Sequence, residues 1–307
     1  MQGSDVLPTG ITVFERGWLS ANNILIVGPH GTALIDSGYC SHAAQTVALV
    51  RQSLGEKPLD RLLNTHLHSD HCGGNAVLQQ SFPNLQTWIP PGQAAFVREW
   101  DPYALSYVPT GQECPPFRLD GLLQPGAELV LGDHLWQVHA APGHDPHSVI
   151  LFEPEARVLV SADALWQNGF GVVFPELEGE RAFEEVASTL DLIESLMPRI
   201  VIPGHGGVFD DVTQALALAR KRLDSFIRNP QKHAQHAAKV LLKFKLLELQ
   251  DVAYPVLAQW AEDTAYFRLV RERYFPERGM QAWIEQLTED LVRVGAAQRD
   301  ADRVLNA

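Results

Sequence analysis

The side chains best suited to chemistry are concentrated in one short segment, residues 65–71, which reads Thr-His-Leu-His-Ser-Asp-His. In an extended chain His66 and His68 point to the same side, because side chains repeat every two residues, so the two can hold one ion together. Asp70 and His71 follow as the chain turns, and can face a neighbouring position. Imidazole and carboxylate groups suit zinc, iron or manganese, and a set without thiolates favours a catalytic site with bound water over a closed structural site.

Three further candidate ligands follow apolar runs downstream. His144 lies in a Pro-Gly-His turn, Asp163 follows the run Arg-Val-Leu-Val, and His205 lies in a Pro-Gly-His-Gly turn after Arg-Ile-Val-Ile. Each residue follows a segment whose apolar composition is typical of a buried strand. A loop at the end of such a strand can project the side chain into a shared crevice. The sequence therefore predicts one metal centre assembled from distant parts of the chain.

The elements that must position these residues are predicted from apolar periodicity and turn residues. We predict strands at 11–17, 22–28, 32–38, 59–65 and 85–91, and strand-rich segments at 128–143, 147–163 and 199–206. We predict helices at 42–55, 75–82, 92–100 and 182–196. The second and third strands are predicted to form a hairpin across Pro29-His30-Gly31. The turn-rich stretch 101–125 is predicted to be a surface loop or insertion. Within it, the loop at 100–117 is interpreted either as a lid over the site or as a mobile surface loop.

Bulk properties restrict the function classes. The chain has 307 residues, 46% of them hydrophobic and 20% charged, which is a normal globular mixture. Its formal net charge of -13 disfavours general nucleic-acid binding. Three scattered cysteines do not indicate a disulfide framework. We see neither a secretory signal nor the roughly 18 apolar residues of a membrane span, so we expect a cytoplasmic protein.

The character of the chain changes near Asp211. We predict two domains, residues 1–211 and 212–307, the second of them helical, with only helical periodicity after residue 213. The segment 213–250 contains eight Lys or Arg residues against two Asp or Glu. This segment is either an ordinary solvated helix face or a surface that attracts an anionic substrate.

The ordered set of an HxHxDH motif, a His in a PGH turn, an Asp and a His in a PGHG turn resembles the metallo-β-lactamase superfamily. The glyoxalase II, lactonase and β-lactamase-like-2 type branches are the most similar in motif content. The resemblance covers roughly residues 10 to 210 and implies an α/β fold, the metallo-β-lactamase αβ/βα sandwich. It also implies that the helical C-terminal domain is winged-helix-like, as in several branches.

Carried over position by position, the resemblance implies a dinuclear site for two divalent ions. Zn²⁺ is the expected metal, with iron or manganese as alternatives. The first ion would be held by His66, His68 and His144, the second by Asp70, His71 and His205, and Asp163 would bridge them. Such a pair lowers the pKa of water so that hydroxide is available at neutral pH. As a hypothesis, Asp70 is also catalytic, orienting the hydroxide or passing its proton to the leaving group.

The implied function is a metal-dependent hydrolase acting through this hydroxide on an ester, thioester or lactone. A β-lactamase is disfavoured, because those enzymes usually lack the carboxylate that Asp163 supplies and are normally exported. Glyoxalase II is a serious candidate, although the tyrosine that follows the last His in that branch is absent after His205 and its glutathione-binding basic residues are not matched. Two alternatives remain open: a phosphodiesterase or ribonuclease of the same fold, and a mononuclear-iron sulfur dioxygenase. We expect a small-molecule substrate, with an anionic one among the candidates, and neither a membrane nor nucleic acid as partner; a homodimer remains an option.

Two residues and one segment each allow more than one interpretation. His147 is interpreted as a substrate contact, a support for a ligand or a cap on a strand. Cys72 is interpreted as a small buried filler or as a residue with a redox or metal-proximal role. The segment 166–171, Trp-Gln-Asn-Gly-Phe-Gly, is interpreted either as a wall of the substrate cavity or as ordinary core.

Overall fold

A computed structural model describes residues 7–307. The prediction that the N-terminus carries no secretory signal partly concerns residues 1–6, which lie outside the described residues. Within the described part of the chain, no helix combines the length and the apolar character that crossing a membrane requires.

The first half of the structure is a mixed six-stranded sheet in the order β1-β2-β3-β4-β5-β6. The β2–β3 hairpin and its antiparallel neighbour β1 are followed by parallel pairing of β3, β4, β5 and β6. Its strands are β1 Ile11–Phe14, β2 Asn23–Gly28, β3 Gly31–Ile35, β4 Arg61–Leu63, β5 Gln86–Ile89 and β6 Gly121–Leu122. The hairpin predicted across residues 29–31 is confirmed.

The second sheet has five strands in the order β11-β10-β9-β8-β7, antiparallel except for the parallel pair β10–β11. Its strands are β7 Glu128–Leu131, β8 His134–Ala140, β9 Val149–Glu153, β10 Val158–Ala162 and β11 Ile200–Pro203. β9 and β10 are buried along their whole length, which matches their nearly continuous apolar sequence.

The two sheets pack face to face around one apolar core, to which Ile26, Ile35, Trp136, Leu151 and Ile202 contribute. Each outer face is covered by two helices. The first sheet is covered by α1 (Ala43–Leu54) and α3 (Asn75–Ser81), the second by α7 (Ala182–Leu196) and α8 (Val212–Arg228). This arrangement is the predicted αβ/βα sandwich, and the prediction is confirmed.

Four short helices lie between the strands and carry or enclose the loops near the predicted ligands. They are α2 Ser69–Cys72, α4 Ala94–Glu99, α5 Tyr107–Thr110 and α6 Phe174–Glu178, and single 3₁₀ turns span Cys40–His42 and Pro91–Gln93. The stretch 101–125, predicted to be a loop, contains α5 and β6. Its Tyr107 and Phe117 are buried in an apolar cluster with Leu105, so this segment packs on the body of the protein.

The C-terminal part combines four helices with a small antiparallel sheet in the order β12-β14-β13. Its elements are α9 Pro230–Leu249, β12 Asp251–Ala253, α10 Tyr254–Asp263, α11 Ala265–Tyr274, α12 Met280–Arg293, β13 Ala297–Asp300 and β14 Arg303–Asn306. The sequence predicted only helices here. That prediction was wrong for the three strands, which have three or four residues each and lack a sustained apolar alternation.

The core of the C-terminal part is separate from those of the sandwich and is centred on α9 and α12, with Leu242, Phe267 and Trp283 fully buried. α8 packs with the sandwich, because its Leu216, Leu223 and other apolar residues join the cluster that covers the second sheet. The division into residues 1–211 and 212–307 and the winged-helix likeness stay predictions.

Candidate metal centre

Three histidines converge at the first half of the site. β4 ends at Leu63, and the chain continues through a bend at residues 65–66 to His68, the residue before α2. His66 Nε2 lies 3.1 Å from His68 Nδ1, which lies 2.8 Å from Nε2 of His144. His144 comes from the turn between β8 and β9, so the second sheet supplies the third imidazole. The predicted trio is therefore brought together.

Four other predicted residues form a second group beside the first. The carboxylate of Asp70 and the ring of His71 come from α2, and His205 Nε2 lies 3.0 Å from Asp70 Oδ2. Asp163 follows β10, and its Oδ1 lies 3.4 Å from His71 Nε2 and 3.9 Å from His205 Nε2. One donor atom from each of the four lies within 4.8 Å of the others.

Asp163 stands between the two groups. Its Oδ1 faces the group of His71 and His205, whereas its Oδ2 lies 3.3 Å from His144 Nε2 in the other group. The side chain approaches the backbone of the last turn so closely that a Cβ on Gly204 would lie 2.2 Å from Oδ1. A glycine at that position is therefore a steric requirement of the arrangement.

Supporting hydrogen bonds fix the orientation of the ligand candidates. His144 Nδ1 donates to the carbonyl of Val172 over 2.5 Å, which leaves Nε2 free to face the site. The amide of Asn22 donates to the carbonyls of Pro203 and Gly206 and so holds the turn that carries His205. Such contacts set which ring nitrogen is available to a cation.

Asp36 supports the second group in a role that the sequence analysis did not assign. Its Oδ2 accepts a hydrogen bond from His71 Nδ1 over 2.8 Å. The same carboxylate accepts from the backbone N–H of Thr65 over 2.9 Å and from its hydroxyl over 2.8 Å. A proton held on Nδ1 by Asp36 leaves Nε2, which faces Asp163, as the ring atom that a cation can bind.

We expect Asp36→Asn to weaken metal binding roughly 10- to 100-fold, as measured by competition with a chromogenic chelator. An amide can present its NH₂ group to His71 Nδ1, which would place the ring proton on Nε2, where a cation binds. Asparagine tolerates the positive φ of 58° at this position, so little backbone strain is added. Asp60→Asn is the control, because Asp60 accepts similar hydrogen bonds from Thr32 but lies away from the histidines. Equal affinity in the two variants would contradict the role of Asp36.

The pKa shifts of Asp163, His144 and His66 favour an ionised carboxylate and neutral imidazoles, which are the forms that bind cations. Burial alone would raise the pKa of Asp163, but the His71, His205 and His144 rings hold it well below its ordinary value. Burial and the neighbouring His68 lower the pKa of His144 to about 4, so its ring is neutral near pH 7. Burial also lowers the pKa of His66, together with the positive charges that its histidine neighbours can carry.

The donor set fits a pair of metal ions. His71 Nε2 is buried and has no hydrogen-bond partner, although it points toward Asp163 and Asp70. Around His68 the imidazole nitrogens approach each other to 2.8 and 3.1 Å, which a shared cation would stabilise. Buried polar atoms without partners are costly, and these unpaired lone pairs are the kind that ligation satisfies.

The two groups face a cavity of about 790 Å³. Trp18, which the sequence analysis missed, stacks on His205 at 5.2 Å between ring centroids and contacts Trp166 at 5.4 Å. Within the segment 166–171, Trp166 lines the cavity whereas Phe170 is buried in the core, so each interpretation holds for part of the segment. The only indication of this role in the sequence was the residue type, because a tryptophan in a turn often contacts a ligand.

The other residues singled out in the sequence occupy distinct places. His147 lines the cavity and packs so tightly on Gly92 that a Cβ there would lie 2.1 Å from its Nδ1. Cys72, the last residue of α2, is buried 3.2 Å from the hydroxyl of Tyr107 and 3.8 Å from Cys114 Sγ. Cys72 is therefore packed on the side of the helix away from the cavity lining.

The sequence model of the metallo-β-lactamase superfamily matches residues 16–205, which include all seven candidate ligands. The chain belongs to the metallo-β-lactamase superfamily. The predicted fold and the predicted class of enzyme, a metallo-hydrolase of this superfamily, are confirmed. The His and Asp clusters are consistent with the dinuclear site that the superfamily implies.

Relatives of this superfamily member include thioester hydrolases. It is 28% identical to a hydroxyacylglutathione hydrolase from Anaeromyxobacter dehalogenans over 74% of this chain and 78% of the relative. It is 26% identical to the acyl-coenzyme A thioesterase MBLAC2 of Gallus gallus over 66% of this chain and 80% of that protein. A β-lactamase domain protein from Burkholderia ambifaria shares the fold over 99% of this chain and 97% of its own, with 19% identity and a TM-score of 0.60.

Proposed function

We propose that this metallo-hydrolase cleaves a small carboxylic ester, thioester or lactone. The observation that carries the proposal is the position of Asp163, which joins two groups of metal-binding side chains at the floor of a single cavity. The cavity volume of about 790 Å³ lies within the range of small-molecule sites. The two thioester hydrolases among the relatives support an acyl substrate, with a thioester as the first to be tested.

In this proposal His66, His68 and His144 would hold one ion, Asp70, His71 and His205 would hold the second, and Asp163 would contribute to both sites. We propose zinc as the native metal. When bound, the ions supply an activated water molecule and a Lewis acid for the carbonyl oxygen.

The side chains of this protein have their own tasks beside the ions. Asp70 is one of the more exposed members of the set, with 14% of its side chain accessible, so it faces the cavity in which the reacting bond would lie. We propose that its carboxylate orients the nucleophile and transfers its proton to the leaving group. Trp18 and Trp166 form an apolar wall over His205 that limits access of bulk water.

The proposal is tested on protein loaded separately with zinc, manganese or iron. Turnover is measured on matched thioester, ester, lactone, phosphodiester and persulfide substrates, beside the number of ions per chain. We expect two ions per chain and hydrolysis of at least one acyl substrate, abolished by a chelator and restored by metal. Phosphodiester cleavage without acyl turnover would instead identify a phosphodiesterase. A single iron with oxygen consumption on the persulfide would identify a dioxygenase.

A further inference from the structure

The cavity above the metal centre extends to a wall with a different character. Besides Trp18 and His205, it is lined by Arg222 of α8 and by His236 and Lys239 of α9. We call these three residues the basic end. They lie on the segment whose sequence is rich in lysine and arginine, in a chain of net charge -13.

The cations of the basic end have no carboxylate partner in the structure. In the described part of the chain, the ion pairs of α8 and α9 use Arg220, Arg228 and Lys245. Arg222 and Lys239 are half-buried beside the cavity without such a neighbour. A half-buried charge without a counter-charge is unfavourable, so an anion that entered the cavity would be stabilised there.

The position of Arg222 is fixed by the loop that carries Asp163. Its Nη1 donates to the carbonyl of Phe170 over 3.2 Å, and a Cβ on Gly169 would lie 2.6 Å from the same nitrogen. In the same loop, the N–H of Gly171 donates to the carbonyl of Asp163 over 2.9 Å. The guanidinium is therefore held next to the segment that also positions the metal centre.

His236 lies close enough to Arg222 and Lys239 for their charges to act on its ring. The ring of His236 stacks on Phe226 with centroids 5.8 Å apart. Burial lowers the pKa of His236 to about 4, with contributions from the charges of Arg222, Lys239 and Lys232. Near neutral pH it is thus an uncharged hydrogen-bonding group between two cations.

Much of the remaining cavity lining consists of apolar side chains. α9 presents Val240, Phe244 and Leu247 to it, and Phe174 lies edge-on to His68 with ring centroids 5.3 Å apart. The acidic residues of this region, Glu178 and Glu180, are exposed at the rim. A ligand that fills the cavity would therefore contact candidate metal ligands, apolar side chains and cations.

We propose that the basic end binds a carboxylate or phosphate group of the substrate, remote from the bond that is cleaved. The inference rests on the proposed acyl hydrolysis and adds a substrate class to it: small acyl compounds, thioesters first, that carry a distant anion. Lys239 is the residue whose charge is least engaged by the protein, and it is the one to test. By contrast, the ammonium of Lys243 is occupied by the carbonyls of Ala296 and Ala307 and by Asn306.

The test compares three hexanoyl thioesters that differ only in the thiol: coenzyme A with phosphates, glutathione with carboxylates, and uncharged N-acetylcysteamine. In Lys239→Met we expect kcat/KM to fall about tenfold for at least one anionic thioester, mainly through KM, and less than twofold for the uncharged one. The anionic substrate that is affected identifies the group that is bound. Lys239→Arg should restore most of the loss.

Lys221→Met is the charge-matched control, because Lys221 is exposed on α8 and does not line the cavity. An equal fall for all three thioesters, or none for either anionic one, would overturn the proposal. If the wild-type protein hydrolyses no thioester, the proposed function fails separately. The subsite is then tested by calorimetry with the stable thioethers S-hexyl-coenzyme A and S-hexylglutathione, whose Kd for the metal-loaded protein should rise about tenfold in Lys239→Met for at least one. Unchanged Kd values for both would overturn it.

Discussion

Replacing Asp163 with asparagine is expected to lower kcat/KM roughly a thousandfold and to remove at least one of two metal ions from the purified protein. The two carboxylate oxygens face different groups, Oδ1 toward His71 and His205 and Oδ2 toward His144. Asparagine preserves the shape of the side chain but supplies one oxygen, and its NH₂ group cannot bind a cation. Metal content is measured by elemental analysis, and activity with the best acyl substrate of the wild-type protein.

The control for this prediction is Asp210→Asn, which makes the same chemical change at an exposed position outside the cavity. It should leave both metal content and rate unchanged. Circular dichroism should show that the Asp163 variant is folded, because Trp166 Nε1 can still donate to the remaining oxygen. Two bound ions and an undiminished rate in Asp163→Asn would reject the assignment of this residue as the bridge between the two groups.

The ligand candidates were accessible to sequence reasoning because local geometry restricts them. His66 and His68 alternate in an extended segment, so their convergence needs no knowledge of the rest of the fold. Asp163 and His205 follow β10 and β11, which are neighbouring parallel strands, and the ends of such strands meet at one edge of a sheet. Apolar runs followed by a polar residue therefore predicted where these side chains lie.

Asp36 could not be found in this way, because its role depends on the register between two strands. Ile35 pairs with Leu63 in the parallel β3–β4 ladder, and this register alone places Asp36 beside Thr65 and His71. A shift by one residue would turn the carboxylate to the other face of the sheet. The composition of either strand does not contain that information.

The basic end shows the same limitation at the level of helix packing. The sequence showed an excess of lysine and arginine over residues 213–250, but it could not separate a solvated face from a cavity wall. The packing of α8 on the second sheet and of α9 beside it decides which cations turn inward. Arg222 and Lys239 line the cavity, whereas Lys221 and Lys232 are exposed.

A second large effect is expected in the acid stability of the protein, and it arises from His233 on α9. The side chain is 1% exposed, its ring lies 4.8 Å from that of Phe226, and its Nε2 accepts a hydrogen bond from the N–H of Val173. Burial, with a smaller contribution from His236, lowers the pKa of His233 to about 3. The unfolded chain takes up this proton below an ordinary pKa of about 6.5, but the folded chain does not until about 3.

Between these two pKa values the unfolded state binds more protons, so the free energy of unfolding must fall as the pH falls. His233 alone should cost ~3 kcal/mol of stability between about pH 6.5 and about pH 4. His233→Gln keeps an acceptor for the N–H of Val173 but cannot be protonated. Urea unfolding across this pH range should therefore give a variant whose stability depends less on pH by that amount.

Other groups, including the candidate metal ligands, titrate alike in the wild-type protein and in the His233→Gln variant. The difference between their two stability curves therefore isolates His233, and it should grow steadily as the pH is lowered. His30→Gln is the matched control, because His30 is exposed and its loss should leave the curve parallel to that of the wild type. Parallel curves for His233→Gln as well would mean that the folded protein accepts a proton on this ring. In that case the contact of α9 with Val173 could not be the neutral hydrogen bond inferred from its geometry.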